Sequence, residues 1–164
     1  MDFATLYDED IETWAELQVA ALRRLAARPG PWANVIDWEN VIEEIDDLGS
    51  EKRESVESLV ENALTHLIKI LADPTSLSVV HWRREARSFL FQARAKAKRS
   101  MRSRIDMDDI WRKSVSGAAN ALEAYDRALP LGLADRSPFS FDELLGEDLD
   151  PDGLLDDMAH RAFK

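Results

Sequence analysis

The sequence predicts an all-α protein, and three observations predict it. Apolar residues return at spacings of three and four along nearly the whole chain, the period of a helix with one buried face. No segment sustains the two-residue alternation of a strand. Three interruptions, "RPGPW" at 28–32, "DPTS" at 73–76 and Pro130, divide the periodic sequence into three long pieces and a tail, because proline and glycine end helices. The third piece holds two helices parted by an aspartate cap at 106 or 108. The expected architecture is a single helical-bundle domain over 1–164, with four principal helices and a C-terminal tail, 130–164, packed on them.

The first helix is expected over about 8–27, with Ile11, Trp14, Leu17, Ala21 and Leu25 on one face. Asp37 is placed to cap the second, and Glu39 sits in its first turn, where the helix dipole favours an acid. Gly49-Ser50 is a possible break in this helix. At 100° per residue, however, Trp38, Val41, Ile42, Val56, Leu59, Val60, Ala63, Leu67 and Ile70 all fall within about 60° of Ile45. An inserted turn would scramble that phase, so one helix over about 37–72 is expected, roughly 54 Å long.

The third helix, about 77–105, aligns Val79, Trp82, Ala86, Leu90, Ala93, Ala97 and Met101. The fourth is capped by Asp106 or Asp108 and should end near Leu129, with Trp111, Val115, Ala118, Leu122, Tyr125 and Leu129 as its stripe. Beside that stripe Ser114, Gly117, Ala118 and Ala121 form a strip of small residues, where a neighbouring backbone can approach closely. In the tail, Ser140 and Glu143 have capping-box spacing, and one or two amphipathic turns are expected over Leu154 to Phe163.

The chain has 164 residues, enough for one sizeable core, and a net charge of −11. That charge disfavours wholesale binding to nucleic acid or anionic membrane. With no cysteine, thiolate chemistry and cysteine-bound metals are excluded. The first ten residues lack a basic and an apolar region of the signal-peptide kind. No apolar run reaches the roughly 18 residues of a membrane span. A cytoplasmic location is expected, without membrane attachment.

"DWENVIEEIDDLGSEKRE", residues 37–54, is dense in carboxylates. Glu39, Glu43, Glu44, Asp46, Asp47, Glu51, Glu54, Glu57 and Glu61 all lie at least 100° from Ile45, opposite the apolar stripe. A bundle-core metal site needs inward carboxylates with Glu-x-x-His pairs, and none of His66, His81 and His160 has that glutamate. The acids therefore read as a solvated or partner-facing surface, with Glu43, Asp47, Glu54 and Glu61 as interaction candidates. "DLDPDG" sets Asp148, Asp150, Asp152 and Asp156 at positions 1, 3, 5 and 9 of a calcium loop, but Ala159 stands where the closing glutamate belongs. A turn before a helix accounts for it.

From His81 to Arg104 there are nine basic residues and one acid, Glu85. Arg83, Arg87, Arg94 and Lys98 line one flank of the stripe. Phosphate contact is one reading; pairing with the acidic second helix, within the chain or across an oligomer interface, is the favoured one. His66 lies at the border of the apolar stripe, where a core or boundary histidine is expected rather than a ligand. The five tryptophans, Trp14, Trp32, Trp38, Trp82 and Trp111, read as core anchors. There is neither a phosphate-binding glycine loop nor a nucleophile elbow.

Four segments, "LYDEDIETWAELQVAALR", "DWENVIEEIDDLGSEKRESVESLVENALTHLIKI", "WRREARSFLFQAR" and "SPFSFDELLGEDLDPD", occur in an order that resembles the bacterial domain-of-unknown-function family 29 (DUF29). The likeness spans nearly the whole chain. Its most specific part comprises Trp38, Glu39, Asn40, Glu43, Glu44, Ile45, Leu48 and Gly49, with His66 in "HLIK". Ile70 departs from the pattern, since tryptophan is frequent there. The resemblance implies a cytoplasmic helical bundle with no established activity, and a tail that usually lacks the full calcium pattern.

Together these readings favour a non-catalytic protein–protein interaction or scaffold module without cofactor, metal or catalytic residues. Its partner is a protein or a second copy, most simply a dimer, because the long second helix outruns the others and part of its stripe needs cover. The alternatives are a hydrolytic or metal-dependent enzyme using His66 and carboxylates, and an RNA- or DNA-binding module acting through the basic helix at 83–104.

Overall fold

The computed structural model describes residues 2–146 and 153–163. Seven α-helices are seen among them: α1 (Phe3–Glu9), α2 (Ile11–Ala26), α3 (Trp38–Ala72), α4 (Val79–Lys96), α5 (Met107–Glu123), α6 (Phe141–Leu145) and α7 (Gly153–Arg161). A 3-10 turn covers Arg99–Ser103. The described residues contain no β-strand; Leu133 and Phe163 form an isolated antiparallel bridge. The chain is all-α, and α2, α3, α4 and α5 are its four long helices.

The second expected helix is continuous. α3 runs 35 residues through Gly49, about 52 Å at 1.5 Å per residue. Asp37 caps it: its carboxylate accepts from the Asn40 backbone N–H at 3.4 Å and from Asn40 Nδ2 at 2.6 Å.

Other boundaries differ from expectation for local reasons. The first helix is split, because Asp10 turns its side chain onto Thr13, accepting from its N–H at 3.2 Å and its hydroxyl at 2.7 Å, and so starts α2 afresh. The third ends at Lys96 rather than near 105, where Ala97 is extended at ψ 138°. The following basic run, Lys96, Lys98, Arg99 and Arg102, would place like charges three and four apart on a continued helix. The fourth ends before Leu129. Asp126 has φ +54°, the Arg127 N–H bonds to Leu122 C=O at 3.1 Å and the Asp126 N–H to Glu123 C=O at 3.1 Å. That is a Schellman stop with aspartate in the left-handed position. It leaves Tyr125 exposed, not on the core stripe.

The chain divides into two compact units, Met1–Glu54 with Lys98–Ser103, and Ser55–Ala97 with Arg104–Lys164. In the first unit α1 packs on α2, with Tyr7 edge-on to Trp14 at 4.9 Å between ring centroids. α2 buries Ile11, Ala15 and Val19, four residues apart. The expected face is therefore rotated: Leu17, Ala21 and Leu25 are exposed, as is Trp32, which anchors no core. The cause is close approach. A Cβ on Gly49 would lie 2.9 Å from Ala15 Cβ, so α2 meets α3 through small residues. Buried Glu12 sits beside them and pairs with Arg53 Nε at 3.0 Å.

In the second unit α3 supplies Val56, Val60, Ala63, Leu64, Leu67 and Ile68, α4 Leu90 and Ala93, and α5 Trp111, Ala118 and Leu122, all essentially inaccessible. α5 comes close to α3 through the small-residue strip. Ser114 is completely buried, and its hydroxyl contacts Ile110 C=O at 2.8 Å and Glu61 C=O at 3.1 Å. The Thr65 hydroxyl donates to Ser114 C=O at 3.4 Å. The tail closes on this core: Trp111 Nε1 donates to Ala134 C=O at 2.8 Å and the Ser137 N–H to Asp108 at 2.9 Å. Ser140 and Glu143 form the expected capping box, and Arg161 ties α7 to Glu143 at 2.6 Å.

Gly49→Leu should lower stability by about 1–3 kcal/mol, the usual cost of overpacking, because Ala15 blocks the added side chain. Urea unfolding monitored by circular dichroism measures it; a midpoint at or above that of the parent would contradict the close α2–α3 contact.

Candidate functional site

His66 sits on the part of α3 that faces α4. Its ring stacks on Phe89, 5.9 Å between centroids and 15° from parallel. Its Nδ1 is buried with no hydrogen-bond partner among the described residues. Burial is the main cause that lowers its pKa to about 4, with the cations of Lys69 and, less, His81 adding to it while Glu85 opposes. Lys69 is itself lowered by burial, and its ammonium lies 4.4 Å from the centroid of the Trp82 ring, a cation–π contact. Folding thus brings one carboxylate, Glu85, into the neighbourhood of His66, but no hydrogen bond joins them. A general base works best with a pKa near the operating pH, and a neutral imidazole at about 4 is far below it.

Of the basic residues, Arg83, Arg87 and Arg94 lie on α4 and Lys98 lies past its end. Arg83, Arg87 and Lys98 are exposed and Arg94 half-buried. Neither Arg83 nor Arg84 has an ion-pair partner among the described residues. Pairing between this helix and α3 is thus not made at those two arginines. Lys96 does reach α3, donating to Ser55 at 3.0 Å. On α3, Glu43, Glu44, Asp47 and Glu54 are exposed and Glu61 half-buried; Asp46 meets Arg23 of α2 at 3.9 Å.

Of the calcium-pattern residues, Asp148, Asp150 and Asp152 lie outside the described residues, and Asp156 is exposed on α7. Among the described residues no three His, Asp or Glu side chains are grouped to hold a metal ion. No helix among them is long and apolar enough to cross a membrane.

The Trp38–Gly49 motif does structural work in this geometry. Asn40 completes the α3 cap, Gly49 admits α2, and Ile45 and Leu48 are half-buried. Glu39, Glu43 and Glu44 face solvent. Trp38 is half-buried, its indole N–H enclosed without a partner among the described residues.

A family model described as "Domain of unknown function DUF29" matches residues 6–149. The chain belongs to this family. The DUF29 chain is also similar to a solved structure, an alpha-helical protein of unknown function from Rhodospirillum rubrum. The two are 30% identical with a TM-score of 0.79, over 92% of this chain and 95% of that one. None of the curated proteins matches it. Sequence reasoning anticipated the family and the histidine's boundary position. It missed the Glu12–Arg53 pair, whose only signal was a glutamate two residues into an apolar helix start.

The buried histidine predicts a pH response. Its pKa is about 4 in the fold and about 6.5 in the unfolded chain. Between those values only the unfolded chain takes up the proton. The stabilisation is full above about 6.5, declines as pH falls, and is spent near 4. Half exposure screens the effect to on the order of 1–2 kcal/mol. Urea unfolding of the parent and His66→Gln across this range should show the parent losing more stability; parallel curves would refute the assignment.

Proposed function

We propose that this DUF29 chain is a non-catalytic protein-interaction module whose docking face is the open apolar side of its first unit. The observation that carries the reading is a change in burial along one stripe. From Val56 onward the stripe of α3 is almost entirely buried. Before it, Trp38, Ile42, Ile45 and Leu48 are only half-buried and Val41 is exposed. On α2 the periodic residues Leu17, Ala21 and Leu25 are exposed as well. Two helices with regular apolar stripes left to water are characteristic of a surface that another protein covers.

A second copy is the simplest occupant, since the same face on two chains can meet about a two-fold axis. The exposed acids of α3, Glu43, Glu44, Asp47 and Glu54, lie on the side of the helix away from the stripe, so their charge acts on the approach and selectivity of a partner more than on affinity. The low pKa of His66 and the absence, among the described residues, of carboxylates grouped to hold a metal support this reading over hydrolysis or metal chemistry. The net charge of −11 weighs against a nucleic-acid partner for the basic side of α4.

A photo-crosslinking residue at Val41, introduced in the native cell, should yield a discrete protein adduct. A second copy gives about twice 18.6 kDa; another partner gives a different defined mass. Ile42→Glu, on the same stripe of α3, should abolish the adduct while leaving helix content unchanged, and the same probe at exposed Asn120 should capture nothing. No adduct at Val41, or equal capture at both positions, would overturn the proposal.

A further inference from the structure

A cavity of about 480 Å³ opens in the second unit between the turn after α3, the start of α4 and the end of α5. This is within the size range of small-ligand sites. Trp82 and Leu122 line its apolar part, Tyr125 one wall, and Ser78, Asp73 and Arg127 its polar part.

The two charged groups are held unequally. Asp73 is mostly covered, at 15% side-chain exposure, whereas Arg127 is 58% exposed. Arg127 bonds to Asp73 through Nε alone, at 3.1 Å, which fixes the guanidinium and leaves its two terminal nitrogens free for another acceptor. Its backbone is fixed too, since the Arg127 N–H makes the Schellman bond to Leu122 C=O. Ser78 precedes α4 and makes no side-chain cap bond, so its hydroxyl is also available at the polar rim. The covered charge is the anion and the presented one is the cation. A planar, pre-oriented guanidinium suits a carboxylate, which it can bind with two parallel hydrogen bonds.

We propose that this cavity binds an apolar carboxylate, with the carboxylate on Arg127 and the apolar group against Trp82 and Leu122. The chemistry is the same whether the ligand is a free N-acylated amino acid or the C-terminal residue of a peptide. This site is separate from the docking face on the first unit, and neither requires the other. Arg127 is a ligand-binding residue here, and Asp73 is the positioning residue that orients it.

The test is titration calorimetry of the full chain with N-acetyl-L-leucine, with its uncharged methylamide, and with a hexapeptide ending in leucine. The free acid should bind with a Kd of about 1 mM, as expected of a ligand this small, or the peptide should bind more tightly. Either result supports the site and identifies its source. The methylamide should bind at least about tenfold more weakly, and so should both acids to Arg127→Gln, from the loss of charge-assisted hydrogen bonds. Arg127 is half exposed, so the variant should keep its helix content, and Ser76→Trp offers an independent way to fill the cavity without touching the charge. Arg24→Gln, exposed on α2, should bind like the parent. Absence of binding by both acids at several millimolar, equal binding of acid and methylamide, or undiminished binding to both Arg127→Gln and Ser76→Trp would each overturn the proposal.

Discussion

The second unit depends on how closely α5 can lie against α3. Two helices with leucines at the contact stay about 10 Å apart, whereas small residues bring backbones nearer. Ser114 makes that closeness possible and also uses it. Its hydroxyl, completely buried, reaches the Glu61 carbonyl on the other helix and the Ile110 carbonyl on its own. A buried hydroxyl without partners is costly; with them it fixes the rotation and offset of one helix on the other. Gly117 extends the contact one turn on, where an added Cβ would already touch Thr65 at 3.4 Å. Once α5 is seated, Trp111 can give its indole N–H to Ala134, and the backbone pairing of Ala134 with Ala162 brings in the end of the chain.

A related device operates in the first unit with a different result. Gly49 meets Ala15, but the large residues of α3 before that contact, Ile42, Ile45 and Leu48, are only half-buried. Packing at a glycine buries little apolar area, and hydrophobic stabilisation scales with that area. The first unit therefore has close contact without extensive burial. Its ion pair, Glu12 with Arg53, adds orientation more than stability, since burying both groups offsets much of their attraction. The open stripe follows from this arrangement, because residues chosen for closeness at Ala15 and Val19 leave Leu17 and Leu25 on the far side of α2.

Much of the fold was legible in the sequence, because helical phase is a local property that survives over long distances. The phase of Ile45 with Val56, Val60 and Leu67 established that α3 passes through Gly49 unbroken. The small residues at 114–121 announced a close neighbour. The rotated face of α2 was not legible, since Trp14, Leu17 and Leu25 make the stronger apolar stripe. Only the position of Gly49 opposite Ala15, a tertiary fact, decides which stripe is used. The early stop of α5 was hidden for a similar reason: aspartate tolerates the left-handed conformation less well than glycine does, and nothing else at Asp126 signals the turn. The cavity beside Arg127 was hidden too, since 54 positions separate that residue from Asp73 and both read singly as surface charges.

The central claim is that the α3–α5 contact holds the second unit together. Native-state hydrogen exchange tests it most directly, because amides released only by global unfolding report the most stable part of a fold. The slowest amides should fall within Val60 to Ile70 of α3 and Ile110 to Leu122 of α5. In Ser114→Leu, protection should fall together across both stretches and across α4, α6 and α7. If the slowest amides lay instead between Trp38 and Glu54, or if Ser114→Leu loosened α5 alone, the contact would not be what the rest of the unit depends on.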